Sequence, residues 1–291
     1  MANPSTTDDA IRDVSDTALW VALYRAQESE RKDALFSDPY ARRLAGERGQ
    51  RIMDTVPRAH SISWPMVVRT QVFDEIILRL LREQGVDTVL NLAAGLDARP
   101  WRLPLPPDTH WVDVDMPGML AHKQQGMQQE TPRCRYTARA ADLREPGALR
   151  AVLDEVTRDA KTVLVLSEGL LIYLEPDQVA ALAVELARAQ PCRYWLVDLA
   201  SPMLLRYMER NWKGPRGLQN APFRFAPAEG TEFFVPHGWR ETEYRSTMEE
   251  ARRLKRMPPF SWVWAIFGLF MPKARKEQWK RFSGQVLLAR A

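Results

Sequence analysis

The sequence predicts a doubly wound α/β fold on a mostly parallel sheet, and three observations carry the prediction. From Val86 onward short apolar runs ("TVLNLA", "THWVDVD", "CRYTARAADL", "KTVLVLSEG", "CRYWLVDLA") alternate with helical stretches ("PGMLAHKQQGMQQ", "EPGALRAVLDEV", "PDQVAALAVELARAQ"). Strands alternating with crossover helices form a parallel sheet covered on both faces. The first run breaks into Ala93-Ala94-Gly95, small residues at the carboxyl end of a strand. The second and third runs end in acids, Asp113 and Asp115 and then Asp142. In open sheets of this kind ligands bind outside those carboxyl ends, where the strand order reverses.

Before the sheet, residues 1–85 predict a helical region. "DDAIRDVSDTALWVALYRAQES" spaces Ile11, Val14, Ala18 and Val21, with Leu19 and Leu23, as one face of a helix. Asp38-Pro39 starts a second, short helix that Gly46 is expected to close. "SISWPMVVRTQVFDEIILRLLREQG" predicts a third, ending at Gly85. After the alternating region, residues 203–240 bring proline, glycine and aromatics and are expected to form an inserted cap. "GQVLLARA" supplies a last strand. The whole of 1–291 is expected to be a single domain.

The bulk figures fit a soluble enzyme-sized globule. At 291 residues, with 45% hydrophobic and 27% charged residues, the chain can bury a sizeable core. A net charge of +4 gives no nucleic-acid footprint. Two cysteines make neither a disulfide framework nor a metal cluster, so no metal is expected and the cytoplasm is the expected compartment. Met1 to Ile11 lacks the features of a signal peptide.

The chemistry starts at the first turn. Without bulky side chains, Ala93-Ala94-Gly95 lets a ligand lie against the backbone, although a tight packing turn would use the same residues. Asp115 is placed to bind ribose hydroxyls. A dinucleotide site would want the full glycine-rich fingerprint and a free helix N-terminus for pyrophosphate; only Gly95 is present, and Asp97 would repel a phosphate. A nucleoside without phosphates fits better, and S-adenosylmethionine is one. Asp142 followed by Leu143 could meet an adenine amine and ring, or Asp142 could simply cap a helix.

The segments "NLAAGLDARPWRL", "WVDVDMPGMLAHK", "ADL" and "SEGLLIYL" resemble the signature segments of the leucine carboxyl methyltransferase family. "DTALWVALYRAQESERKDALFSDPYARRLAG", Arg69-Thr70 and "HGWRETEY" extend the resemblance over nearly the whole chain. It implies a class I methyltransferase-like sheet of seven strands and an S-adenosylmethionine-dependent O-methyltransferase, some relatives of which serve polyketide pathways in secondary metabolism. Residue by residue, it implies that Gly95 lies against the methionine part, Asp115 holds the ribose, and Asp142 and Leu143 contact adenine. Arg69 matches an arginine that pairs with the cofactor carboxylate, and Glu168 faces the cofactor from the fourth strand. On its residue type alone Arg69 could also be a solvated helix charge. Ala93 departs from the second glycine that most class I methyltransferases carry in this turn.

Methyl transfer from a sulfonium is an in-line displacement to which a protein contributes orientation and a dry path. A carboxylate acceptor is already ionised at neutral pH, whereas a hydroxyl profits from a base. His60, His110, His122 and His237 offer no clear candidate, Tyr173 could reach an acceptor or pack in the core, and no catalytic base is named. The expected substrate is a small, lipophilic molecule methylated on a carboxylate or hydroxyl. Alternatives are a protein C-terminal carboxylate and an inactive cofactor-binding scaffold. The uncharged stretch 257–272, "MPPFSWVWAIFGLFMP", is too short and too interrupted to span a membrane. It could be buried, lie on a membrane surface through Trp262 and Trp264, or wall the acceptor pocket.

Overall fold

The computed structural model describes residues 14–55, 63–211, 222–257 and 272–291. Its sheet has seven strands: β1 (Thr88–Leu92), β2 (His110–Asp115), β3 (Arg135–Ala140), β4 (Val163–Ser167), β5 (Cys192–Ala200), β6 (Trp239–Ser246) and β7 (Ser283–Arg290). They lie in the order β3-β2-β1-β4-β5-β7-β6. β1 to β5 pair in parallel, and β7 runs antiparallel to both β5 and β6. The chain proceeds outward from β1 to β3 and returns to start again at β4, so the switch point lies between β1 and β4.

Three helices precede the sheet: α1 (Val14–Ser29), α2 (Ala41–Thr55) and α3 (Trp64–Glu83). The sequence placed the start of the first at Asp8, outside the described residues. Gly46 does not close α2. Its backbone (φ 59°, ψ −172°) kinks the helix, which then resumes to Thr55, because glycine can take the left-handed φ and Ile52 and Met53 still have a core to enter. The crossover segments are α4 (Arg99–Arg102), α5 (Pro117–Met127), α6 (Ala148–Val156) and α7 (Pro176–Arg188). α8 (Pro202–Asn211), α9 (Thr247–Arg253) and α10 (Lys273–Lys280) complete the helices described here.

Strand alternation builds two cores. Val89, Leu164, Leu166, Leu196 and Leu287 face α3, where they meet Val68, Val72, Phe73 and Ile76. Their neighbours Leu90, Val165, Val197 and Leu288 point to the other face, against α6 and α7. Each such side chain contributes about 1.5–3 kcal/mol when fully buried. A third cluster packs α1 and α2 on Leu96, Ala98 and Trp101 just after β1, which fixes the N-terminal helices beside the first turn. Within the stretch expected to be a cap, residues 212–221 lie outside the described residues. Phe225 and Phe234 beyond them are buried in the second core, with Trp195 and Trp239.

Candidate active site

A cleft of about 800 Å³ opens at the carboxyl ends of the parallel strands, walled by α1 and α3 and by the turn Leu171–Tyr173. The first turn forms its floor. Ala93 and Gly95 both hold left-handed φ, 52° and 50°. The alanine therefore occupies a conformation that glycine takes freely and that costs other residues on the order of 1–3 kcal/mol, which explains why a glycine suits that position. A side chain at Gly95 would press on the Ala18 methyl of α1 at 3.3 Å. Asp115 braces the turn from the end of β2: its Oδ2 accepts from the Gly95 N–H at 2.6 Å and its Oδ1 from the Met116 N–H at 2.7 Å. Burial raises the Asp115 pKa against the pull of those two amides.

Behind the floor runs a chain of buried charges. Arg99, 2% exposed, reaches Asp74 of α3 at 2.6 Å, Asp97 at 2.6 Å and Glu168 at 2.7 Å. Glu168 also accepts from Arg69 Nε at 3.0 Å, and Arg69 Nη1 donates to Asp198 at 3.2 Å. Asp198 in turn accepts from the Gly169 N–H at 2.6 Å. Asn91 bridges Asp97 to Asp113, whose carboxylate also holds Lys123 at 2.6 Å. Burial would raise the Glu168 carboxyl, but Arg99 and Arg69 outweigh it and hold the pKa below the ordinary value. Arg69 is thus a buried residue with two acidic partners, not a solvated helix charge. A ligand carboxylate at Arg69 would share the guanidinium with Glu168 and Asp198.

The other expected residues are placed as follows. Asp142 lies two residues beyond β3 and lines the cleft with Leu143. It does not cap α6, whose N-cap is Gly147. Its carboxylate grips Arg144 through side chain and backbone, which draws its pKa to about 2. Tyr173 lines the cleft beside Phe223, ring centroids 5.5 Å apart. Burial pushes its hydroxyl pKa up, against a hydrogen bond with Thr17. The described histidines stand elsewhere. His110 pairs with Thr137 at the entry of β2, His122 with the Leu44 carbonyl, and His237 lies against Phe233. His60 and residues 258–271, including Trp262 and Trp264, lie outside the described residues.

Asp74, Asn91, Asp198 and Lys123 were not singled out in the sequence. Asp198 carried a signal, an acid ending the apolar run "YWLVD" as Glu168 ends "VLVLSE". The others become visible only when α3 and α5 fold onto the sheet.

The family model for leucine carboxyl methyltransferase matches residues 18–187. A "Putative S-adenosyl-L-methionine-dependent methyltransferase" of Parafrankia sp. is 35% identical over 80% of this chain and 79% of its own. A Mycolicibacterium gilvum protein of the same name is 38% identical over 62% of this chain and 63%, under two thirds, of its own. Among solved structures, a DUF574 family protein from Streptomyces avermitilis superposes with a TM-score of 0.56 at 16% identity, covering 93% of this chain and 97% of that one. A "putative methyltransferase" from Thermobifida fusca gives 0.56 and 16% over 100% and 99%. These two likenesses bear on the fold.

Proposed function

The chain belongs to the leucine carboxyl methyltransferase family, S-adenosylmethionine-dependent enzymes, and from that premise we propose that it methylates a carboxylate oxygen of a small lipophilic acid. Bound in the cleft, S-adenosylmethionine supplies an electrophilic methyl group. The residues fit such a cofactor: small residues leave the first turn open, and Asp115 keeps lone pairs beyond its two amide bonds. We assign Asp115 to the ribose, Gly95 to the methionine part, and Asp142 and Leu143 to the adenine. Glu168 would face the cofactor's ammonium end, and Arg69 its carboxylate, through an Nη2 that has no partner among the described residues. The same reading places the enzyme in the cytoplasm, in secondary metabolism.

The observation that carries the choice of acceptor is the contrast between the cleft's apolar lining and its ionisable groups. Met66, Leu204, Met208, Phe223 and Phe225 are among the residues that line the cleft, and they would exclude water from the path of transfer. Of the ionisable groups in the same lining, Glu168 is held below the ordinary carboxylate range and Tyr173 above the ordinary phenol. Neither is poised near neutrality to take a proton, and an ionised carboxylate requires no such transfer. The test is turnover of small aryl and alkyl acids with methyl-labelled cofactor, read by mass spectrometry. A base-labile methyl ester is expected. Label found only in base-stable ethers, in N-methyl products or on protein would overturn the reading.

Arg69→Lys tests the cofactor assignment. Lysine keeps the charge but not the planar fork that reaches Glu168 and Asp198 together and still offers a donor to a ligand. Calorimetry should show cofactor affinity reduced by about tenfold, or 1.4 kcal/mol. Parent-like affinity would return Arg69 to a structural role.

A further inference from the structure

We infer that the cleft contains a hydrogen-bonding subsite for the acceptor, formed by Gln285 with Asp198 and Thr247, and that it selects acids carrying a hydroxyl group. The inference rests on the carboxylate reading above. Gln285 lies on β7 directly across from Asp198 of β5. It shares a strand face with Leu287, and Asp198 shares one with Leu196, both of which pack toward α3. Gln285, Asp198 and Thr247 all line the cleft. Gln285 is only 2% exposed. Its Nε2 donates to the Thr247 hydroxyl at 3.1 Å, but its buried Oε1 has no partner among the described residues.

Buried amide oxygens are normally paired, and one left open inside a ligand cleft needs an explanation. Core packing does not supply it, since an apolar residue would fill β7 at this point without the desolvation cost. A partner brought by the ligand does. Which half of the amide is left open depends on how the amide is turned, because Thr247 can accept from the NH2 or donate to the oxygen. A hydroxyl can donate or accept, so it answers either arrangement, whereas an ether or a hydrocarbon does not. Asp198 Oδ2, held by Arg69 at 3.2 Å, lies on the adjacent strand as a second acceptor. The apolar lining takes the hydrocarbon part of the same molecule.

A matched set of acids tests this: 3-phenylpropanoate, 3-phenyllactate and 3-(4-hydroxyphenyl)propanoate, with ester formation followed on the whole protein. At least one hydroxylated acid should exceed 3-phenylpropanoate by about tenfold or more in kcat/KM, since a site built around a polar group rejects the analogue lacking it. In Gln285→Met that ratio should fall to about one, with the thermal midpoint as the check on folding. Gln285→Leu, which likewise lacks a hydrogen-bonding group and should give the same ratio, serves if the methionine variant does not fold. Equal turnover of the three acids by the parent, or an unchanged ratio in the variant, would overturn the subsite and leave the carboxylate reading standing. No ester from any of the three would overturn both.

Discussion

Replacing Arg99 with methionine is expected to cost about 3–5 kcal/mol of stability, the range seen when one partner of a buried ion pair is removed. Methionine fills much of the space beside the Phe73 ring, over which the guanidinium lies at 5.6 Å, so the loss is chiefly one of charge. Asp74 keeps Arg102 at 2.6 Å, Glu168 keeps Arg69 at 3.0 Å, and Asp97 keeps, among the described residues, only Asn91 at 3.2 Å as a side-chain donor. Three carboxylates would then share too little positive charge in a dry site. The melting midpoint should fall by on the order of 10 °C for a chain of this size. The pH dependence distinguishes charge from packing. Burial would raise Asp97 and Glu168, but Arg99 together with Lys123 and Arg102 at Asp97, and with Arg69 at Glu168, outweighs it, and both carboxyls lie below their ordinary values. Their stabilisation is therefore complete above the unfolded values of about 4 and is lost as pH falls through the lowered folded ones. The gap between parent and variant should be widest near pH 7 and narrow toward pH 3. A gap that stays constant over that range would assign the loss to packing, and a midpoint within 2 °C of the parent (about 0.5–1 kcal/mol) would remove Arg99 from the list of residues that hold the site together.

The sheet was legible because its central strands are buried on both faces. Val163–Ser167 and Thr88–Leu92 are buried at every position, and a run of that kind announces itself without periodicity. β6 did not announce itself. "WRETEYRS" is polar because it is an edge strand with one paired side, and only its likeness to relatives pointed to it. Gly46 misled for a physical reason: the same left-handed φ serves a helix stop and a kink, and the difference lies in whether the following residues have a core to enter. The site divides in the same way. Gly95, Asp115 and Glu168 stand at strand ends, where the rule for α/β sheets places ligand contacts, so short motifs could indicate them. Arg69 with Asp198 and Arg99 with Asp74 join residues on different elements, and the pairings depend on how α3 crosses the sheet. Gln285 looks like an ordinary polar residue in "SGQVLLAR". Only its burial, its neighbour across the sheet and its open amide oxygen mark it.

Asp115→Ala should weaken cofactor binding ten- to a hundredfold, the equivalent of about 1.5–3 kcal/mol for a charge-assisted hydrogen bond lost. The geometry gives the carboxylate two tasks. It accepts from the Gly95 and Met116 amides, which holds the first turn in shape, and it has lone pairs left for a ribose hydroxyl. Alanine removes both, so affinity alone would not separate them. Asp115→Asn does: the amide oxygen can still accept from one of the two backbone donors, while the NH2 faces the other donor and repels it. If the chief role is the turn, the asparagine variant should lose stability and affinity together. If the carboxylate also holds the ribose, a ligand series exposes it. S-adenosylhomocysteine, which keeps the ribose hydroxyls, should lose affinity on going from parent to Asp115→Ala. Methionine, which occupies only the far end of the cleft and lacks a ribose, should be affected much less. Calorimetry with both ligands measures the difference, and equal losses for the two would confine Asp115 to the turn.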